Sequence, residues 1–210
     1  MTTAGNGSVA RPARRQRLTA EQRREQLIQA TVSVVSRLGY QNASLAAIAT
    51  EAGLSKGLLW HYFADGDELM EATARATLIK LREVVAADLD LSAPIPQVLR
   101  AAIHRAAALQ QTHRAELRAM REIVDNLRHP DGTHRLGSSE YEQTYRQQAA
   151  LFQRGQDEGS LRPLDTRYLA VIYQGAVDAM LGYLDAHPDT DADRYATTVA
   201  DVLLDGITTG

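Results

Sequence analysis

One run of the chain, Leu45-Ala-Ala-Ile-Ala-Thr-Glu-Ala-Gly-Leu-Ser-Lys-Gly-Leu-Leu-Trp-His-Tyr-Phe63, limits the possible folds most sharply. Ser44 stands where a helix N-cap belongs, since its hydroxyl can accept from an orphan backbone N–H. Leu45, Ile48, Ala49 and Ala52 then recur with helical period and make one apolar stripe. Gly53 supplies the positive φ that a helix C-terminus favours. Ser55 can cap a second helix at once, which places Leu54 in the turn and points it inward. Leu59, Tyr62 and Phe63 give that second helix an apolar side of its own. Two short helices across a tight glycine turn form a helix-turn-helix.

The outward side of the second helix has a different composition. Lys56, Gly57, Leu58, Trp60 and His61 fall at or near its N-terminal end, the end that enters the major groove in helix-turn-helix proteins. Lys56 offers a cation to phosphate or guanine, Gly57 permits close approach, and Leu58 suits a thymine methyl. Trp60, His61 and Tyr62 can each donate to phosphate oxygens. Singly, each has a plainer reading: Trp60 and Tyr62 as core aromatics, Lys56 as a solvated charge. Together with the preceding helix, the pattern favours DNA.

Residues 22–70 resemble the DNA-binding domain of the TetR family of transcriptional regulators. The resemblance is carried by Arg24-Glu-Gln-Leu-Ile-Gln-Ala30, Leu38-Gly-Tyr40, Ser44-Leu-Ala-Ala-Ile-Ala49, Glu51-Ala-Gly-Leu-Ser-Lys-Gly57 and Leu59-Trp-His-Tyr-Phe63, in order and at the right spacing. It implies DNA contacts from Arg17, Arg24, Ser44, Ser55, Lys56, Gly57, Leu58, Trp60, His61 and Tyr62. The chain departs from the family at Leu58, usually Thr, and Trp60, usually Tyr. Ala64-Asp-Gly-Asp67 also replaces the usual Pro-Ser-Lys-acidic run, so Gly66 stands in place of a phosphate-binding lysine. One backbone contact per subunit is thereby left open, and the operator sequence is expected to differ from common ones.

Composition narrows the alternatives. The chain has 210 residues and no cysteine, which rules out disulfides, thiol catalysis and zinc fingers and fits a reducing cytoplasm. No run approaches the ~20 apolar residues of a membrane span, and the arginine-bearing N-terminus lacks the apolar segment of a secretory signal. Neither a phosphate-binding glycine loop nor a Gly-x-Ser-x-Gly elbow occurs, so nothing marks an enzyme. The net charge of −3 is unevenly spread: residues 1–63 hold eight basic and three acidic side chains, +5, leaving −8 for the rest. A basic head on an acidic body places the field favourable to nucleic acid at the helix-turn-helix.

Read in order, the chain is expected to be all-α, with about nine helices. Residues 1–17 are polar and then arginine-rich, and read as a disordered basic arm (Arg11, Arg14, Arg15 and Arg17) that either follows the DNA backbone or minor groove or is a plain solvated tail. Residues 18–64 form the helix-turn-helix domain, whose first helix starts near Thr19 and ends before Gly39. Residues 65–210 form a helical ligand-binding and dimerisation domain. Its first helix runs from Asp65 or Asp67 to about Asp88, and the resemblance gives it the role of passing ligand state to the head. Ser92-Ala-Pro-Ile-Pro96 breaks the chain. Helices follow over about 96–112, 114–128, 138–158, 165–186 and 191–207.

Two features of the body suggest partners. Gly175, Ala179 and Gly182 make a small-residue ridge in the penultimate helix, and Tyr195, Val199, Val202 and Leu203 a stripe in the last. These are expected to meet their copies across a two-fold axis in a homodimer, packing within one subunit being the alternative. A dimer also suits DNA, because two heads about one duplex turn apart read a palindrome. The second feature is Tyr141, Tyr145, Gln148 and Phe152 along one helical face. His104, Met120, Ile123, Tyr173, Gln174 and Asp178 lie in helices that pack nearby in the family. An apolar cavity with a few polar groups is what a small molecule needs, although such stripes also build ordinary cores. The histidines show no metal-ligand spacing, and no cofactor is expected.

The sequence thus reads as a homodimeric DNA-binding regulator, a repressor released from a palindromic operator by an unidentified small-molecule ligand. The alternatives are an activator or corepressor-dependent regulator of the same fold, or a helical ligand-binding module without DNA binding.

Overall fold

The computed structural model describes residues 18–209, so Arg17 and the basic arm of residues 1–17 lie outside the described residues. Nine α-helices are found among them: α1 (Ala20–Leu38), α2 (Leu45–Glu51), α3 (Lys56–Leu59), α4 (Gly66–Ala86), α5 (Ile95–Thr112), α6 (Arg114–Asn126), α7 (Glu142–Asp157), α8 (Thr166–Ala186) and α9 (Ala192–Asp205). Two isolated bridges, Arg128 with His134 and Leu161 with Thr208, are the only extended pairing among the described residues. No described helix is long and apolar enough to cross a membrane.

Local chemistry starts most of these helices. The Thr19 hydroxyl accepts from the N–H of Gln22, and the Gln22 side chain accepts from the N–H of Thr19, a complete capping box. The side chains of Ser44, Ser55, Asp65, Asp165 and Asp191 likewise accept from first-turn N–H groups of α2, α3, α4, α8 and α9, without the reciprocal bond. One expected helix is divided. Residues 138–158 do not form a single helix: Ser138–Tyr141 is a 3₁₀ turn and α7 begins at Glu142, because Tyr141 closes the turn with ψ near −3°.

Two buried clusters organise the chain. The first joins Leu27, Val34 and Val35 of α1 to Ile48, Leu59 and Phe63 of the helix-turn-helix. It does not stop at residue 64: Leu69, Met70 and Ala74 of α4 and Ala119, Ile123, Leu127 and Leu136 of the following segments belong to it. The helix-turn-helix therefore shares its core with α4 and α6. The second cluster packs α5, α7, α8 and α9 through residues such as Ile103, Phe152, Met180 and Ala200. A Cβ on Gly155 of α7 would lie 2.5 Å from the Leu161 side chain, in the turn after α7, and 3.0 Å from Ile95 of α5. Any side chain there would force the buried Leu161 to move.

Candidate nucleic-acid interface and ligand cavity

The head leaves exposed the N-terminal end of the second helix of its helix-turn-helix, α3. Gly53, at φ 65°, turns the chain between α2 and α3, and the N–H of Leu54 donates to the carbonyl of Ala49. α3 is short: after Leu59 the backbone tightens into i+3 bonds, His61 to Leu58 and Tyr62 to Leu59. Leu59 and Phe63 are buried, Leu54 and Tyr62 half-buried, and together they fasten the segment to the head core. What remains outside is Lys56, Gly57, Leu58, Trp60 and His61, all exposed. Nothing lies within 4 Å of the place a Cβ would occupy on Gly57, so that face is open. Ser44 and Ser55 are exposed as residues, and their hydroxyls accept from the N–H groups of Ala47 and Leu58 as caps.

Arg24 makes contacts within the head that its sequence position does not reveal. Its Nη1 donates to the Tyr62 carbonyl at 2.8 Å, its Nη2 lies 3.4 Å from Glu68, and its guanidinium stacks 4.1 Å over the Phe63 ring. The side chain thus braces the end of the helix-turn-helix against α4 while remaining partly exposed. Gly66, the first residue of α4, packs over Leu45 with 3.5 Å to a would-be Cβ.

A cavity of about 480 Å³ lies in the body between α4, α5, α6, α7 and α8. Six expected residues line it: Met120, Tyr141, Gln148, Tyr173, Gln174 and Asp178. Four do not. His104 points away, its Nδ1 2.7 Å from Asp193 Oδ1 at the α5–α9 contact. Ile123 is sealed in the head core, because α6 turns that face toward α1. Phe152 is buried in the second cluster, edge-on to Tyr173. Tyr145 stacks on Tyr141 with the Arg167 guanidinium 4.7 Å over its ring, outside the cavity. Most of the lining is aliphatic and carried no signal in the sequence, since Leu78, Val85, Leu99 and Leu109 repeat at helical spacing like any core residue.

The polar wall is connected. Gln148 Nε2 donates to Gln174 Oε1 and Gln174 Nε2 to Asp178 Oδ1, each at 2.8 Å. Burial, with the Asp178 carboxylate nearby, raises the Tyr141 pKa and keeps the phenol protonated. Burial also raises the Asp178 pKa; the residue is exposed as a whole, but its carboxyl faces the cavity. Arg82, which sequence reasoning missed, completes this wall through a 2.7 Å bond from Nη1 to Thr144 Oγ1. Among the described residues no cluster of three His, Asp or Glu side chains could hold a metal ion.

The expected contact surface on the last two helices is partly reassigned. Gly175 and Ala179 are exposed on α8, and Gly182 is half-buried beside Arg121. Tyr168, Val171, Ile172 and Tyr183 extend the same face and are exposed. Their spacing with Gly175 and Ala179 is helical, a signal the sequence held. On α9, Val202 is 72% exposed, whereas Tyr195, Val199 and Leu203 pack partly against their own subunit's core. α9 crosses α8 and α5 with that side, so only part of its stripe remains outside.

Comparison with known proteins agrees with this architecture. Residues 27–73 match the family described as bacterial regulatory proteins, tetR family. An HTH-type transcriptional regulator BetI from Stenotrophomonas maltophilia is 48% identical over 64 residues, 30% of this chain and 33% of that protein. A BetI from Proteus mirabilis is 34% identical over 116 residues, 54% of this chain and 58% of its own length. The chain therefore spans about a third to somewhat over half of the curated relatives it matches. In three dimensions, the fatty acid degradation regulator FadR from Bacillus halodurans superposes with a TM-score of 0.73 at 16% identity. That superposition covers 87% of this chain and 94% of that one, and it shows a shared fold.

Proposed function

We infer that this chain, a TetR-family protein by its head sequence and its fold, is a sequence-specific DNA-binding transcriptional regulator of the repressor type. One observation carries the reading: a compact helix-turn-helix leaves Lys56, Gly57, Leu58, Trp60 and His61 exposed together at the N-terminal end of its second helix. That end suits the major groove, with Lys56 and His61 toward phosphate or base edges and Leu58 toward a thymine methyl. The named relatives are transcriptional regulators, which supports the same reading.

The chain acts as a homodimer through the exposed face of α8, Tyr168 to Tyr183, together with Val202 of α9. An apolar face of this kind gains by burial at roughly 25 cal/mol per Å², and a two-fold pairing would present two heads to a palindrome. The body cavity is the effector site. A ligand there shifts the balance between two dimer shapes only as far as it binds them unequally. The path to the head is short, because the segment that lines the cavity also grips α4. Glu140 takes Arg75 with both oxygens, at 3.0 and 3.1 Å, next to the cavity-lining Tyr141. Arg135 holds Asp67 and Glu71 at 2.6 and 2.7 Å, one turn from the helix-turn-helix.

Trp60 is the chain's single tryptophan and lies on the proposed contact face. Titration with duplex DNA at low salt is expected to change its emission, and added salt to reverse the change as counterions compete. Unchanged emission at DNA concentrations that retard the protein in a gel would place the contact elsewhere.

A further inference from the structure

The cavity wall carries one cation, Arg82, and one carboxyl group, Asp178. The Arg82 Nη1 donates to the Thr144 hydroxyl at 2.7 Å and its Nε to the Leu78 carbonyl at 3.3 Å, both neutral acceptors. A guanidinium has further N–H donors in a planar fork that matches a carboxylate. Among the described residues no carboxylate forms an ion pair with it. Glu140 is held by Arg75 and Glu142 by Arg167, while Asp178, on the same wall, accepts from Gln174. Burial lowers the Arg82 pKa against the opposing pull of Tyr141 and Glu140, and arginine stays protonated.

Arg82 is half-buried and has no carboxylate bonded directly to it, Glu140 being close but held by Arg75; a ligand carboxylate on its free N–H groups would recover part of the cost of that partial desolvation. The rest of the space sets the ligand's body. Leu81, Val85, Leu99, Leu109, Leu117 and Leu181 enclose a region with room for an alkyl chain or a fused hydrocarbon ring.

We propose that the cavity takes an amphipathic monocarboxylate, its apolar part along the aliphatic wall and its carboxylate on Arg82. This rests on the cavity being the effector site. The carboxylate would compete with Thr144 for Arg82 and so alter a bond between α7 and α4, the helix that reaches the head.

Decanoate, decanol and decylamine share one chain and differ in head group, so they separate the possibilities. Calorimetric titration of the DNA-free protein at neutral pH, below the aggregation threshold of each amphiphile, is expected to rank decanoate first by about tenfold or more, as charge-assisted hydrogen bonds do. Arg82→Gln is expected to bring decanoate to the level of decanol while leaving decanol binding unchanged. Equal affinity for decanoate and decanol in the wild-type protein, or a preference for decylamine, overturns the carboxylate assignment and leaves the effector cavity standing. Binding of none of the three overturns both. The wild-type comparison decides the matter even if the Arg82 variant does not fold, and the Trp60 titration reads DNA binding separately.

Discussion

The carboxylate of Glu122, on α6, accepts a hydrogen bond from the backbone N–H of Tyr40 at 3.0 Å. Tyr40 opens the turn between α1 and α2, directly after Gly39, whose φ of 76° exposes that N–H to the body. A would-be Cβ on Gly39 would itself lie 3.5 Å from the same Glu122 oxygen. A body helix therefore satisfies a backbone donor of the head, and the two share a core around this point. Glu122→Ala leaves that N–H without its partner and is expected to cost about 1–2 kcal/mol. Urea unfolding measures the loss. Glu122→Gln keeps an acceptor and should recover most of it; an alanine variant as stable as wild type would show the tie to be dispensable.

Lys56 has no ion-pair partner among the described residues and stands exposed on the proposed groove face. Lys56→Ala should weaken operator binding and make the slope of log K against log salt shallower by about one, the share of a single phosphate. Its melting temperature should match wild type. Unaltered affinity and slope would remove Lys56 from the interface.

Arg24 calls for the opposite pattern. Its bond to the Tyr62 carbonyl and its position over Phe63 make it a brace. Arg24→Ala is expected to destabilise the protein by about 1–2 kcal/mol, through a charge-assisted bond and a cation–π contact; the 3.4 Å Glu68 pair adds little because both partners are solvated. Thermal unfolding checks this. Weakened DNA binding at full stability would return Arg24 to the phosphate contacts.

Ala179 sits in the middle of the exposed α8 face. Ala179→Glu puts a charge where the two-fold contact would bury it and should give a monomer by sedimentation, with operator affinity falling at least tenfold. A dimer of wild-type strength would move the interface to another surface.

The local part of this fold is legible in the residues. Thr19, Ser44, Ser55, Asp65 and Asp191 cap helices because a short side chain reaches its own backbone, and Gly39 and Gly53 end helices because they accept positive φ. Contacts across long stretches of chain are not legible in that way. Ile123 of α6 and Leu109 of α5 both repeat at helical spacing, yet the first is sealed against the head where α6 crosses α1 and the second faces the cavity. Arg24 and Lys56 are both cations of the head, and only the approach of Phe63 and Glu68 separates a brace from a free charge. Tyr145 and Tyr141 differ by one helical turn, but the division of the expected helix at Glu142 turns only the second toward the cavity.

The most direct measurement is selection: the purified protein is mixed with random-sequence duplexes, and those retained are sequenced. A dimer of helix-turn-helix heads predicts enrichment of a palindrome with half-sites about one duplex turn, ~34 Å, apart. A folded dimer that enriches no sequence at low salt would contradict the account.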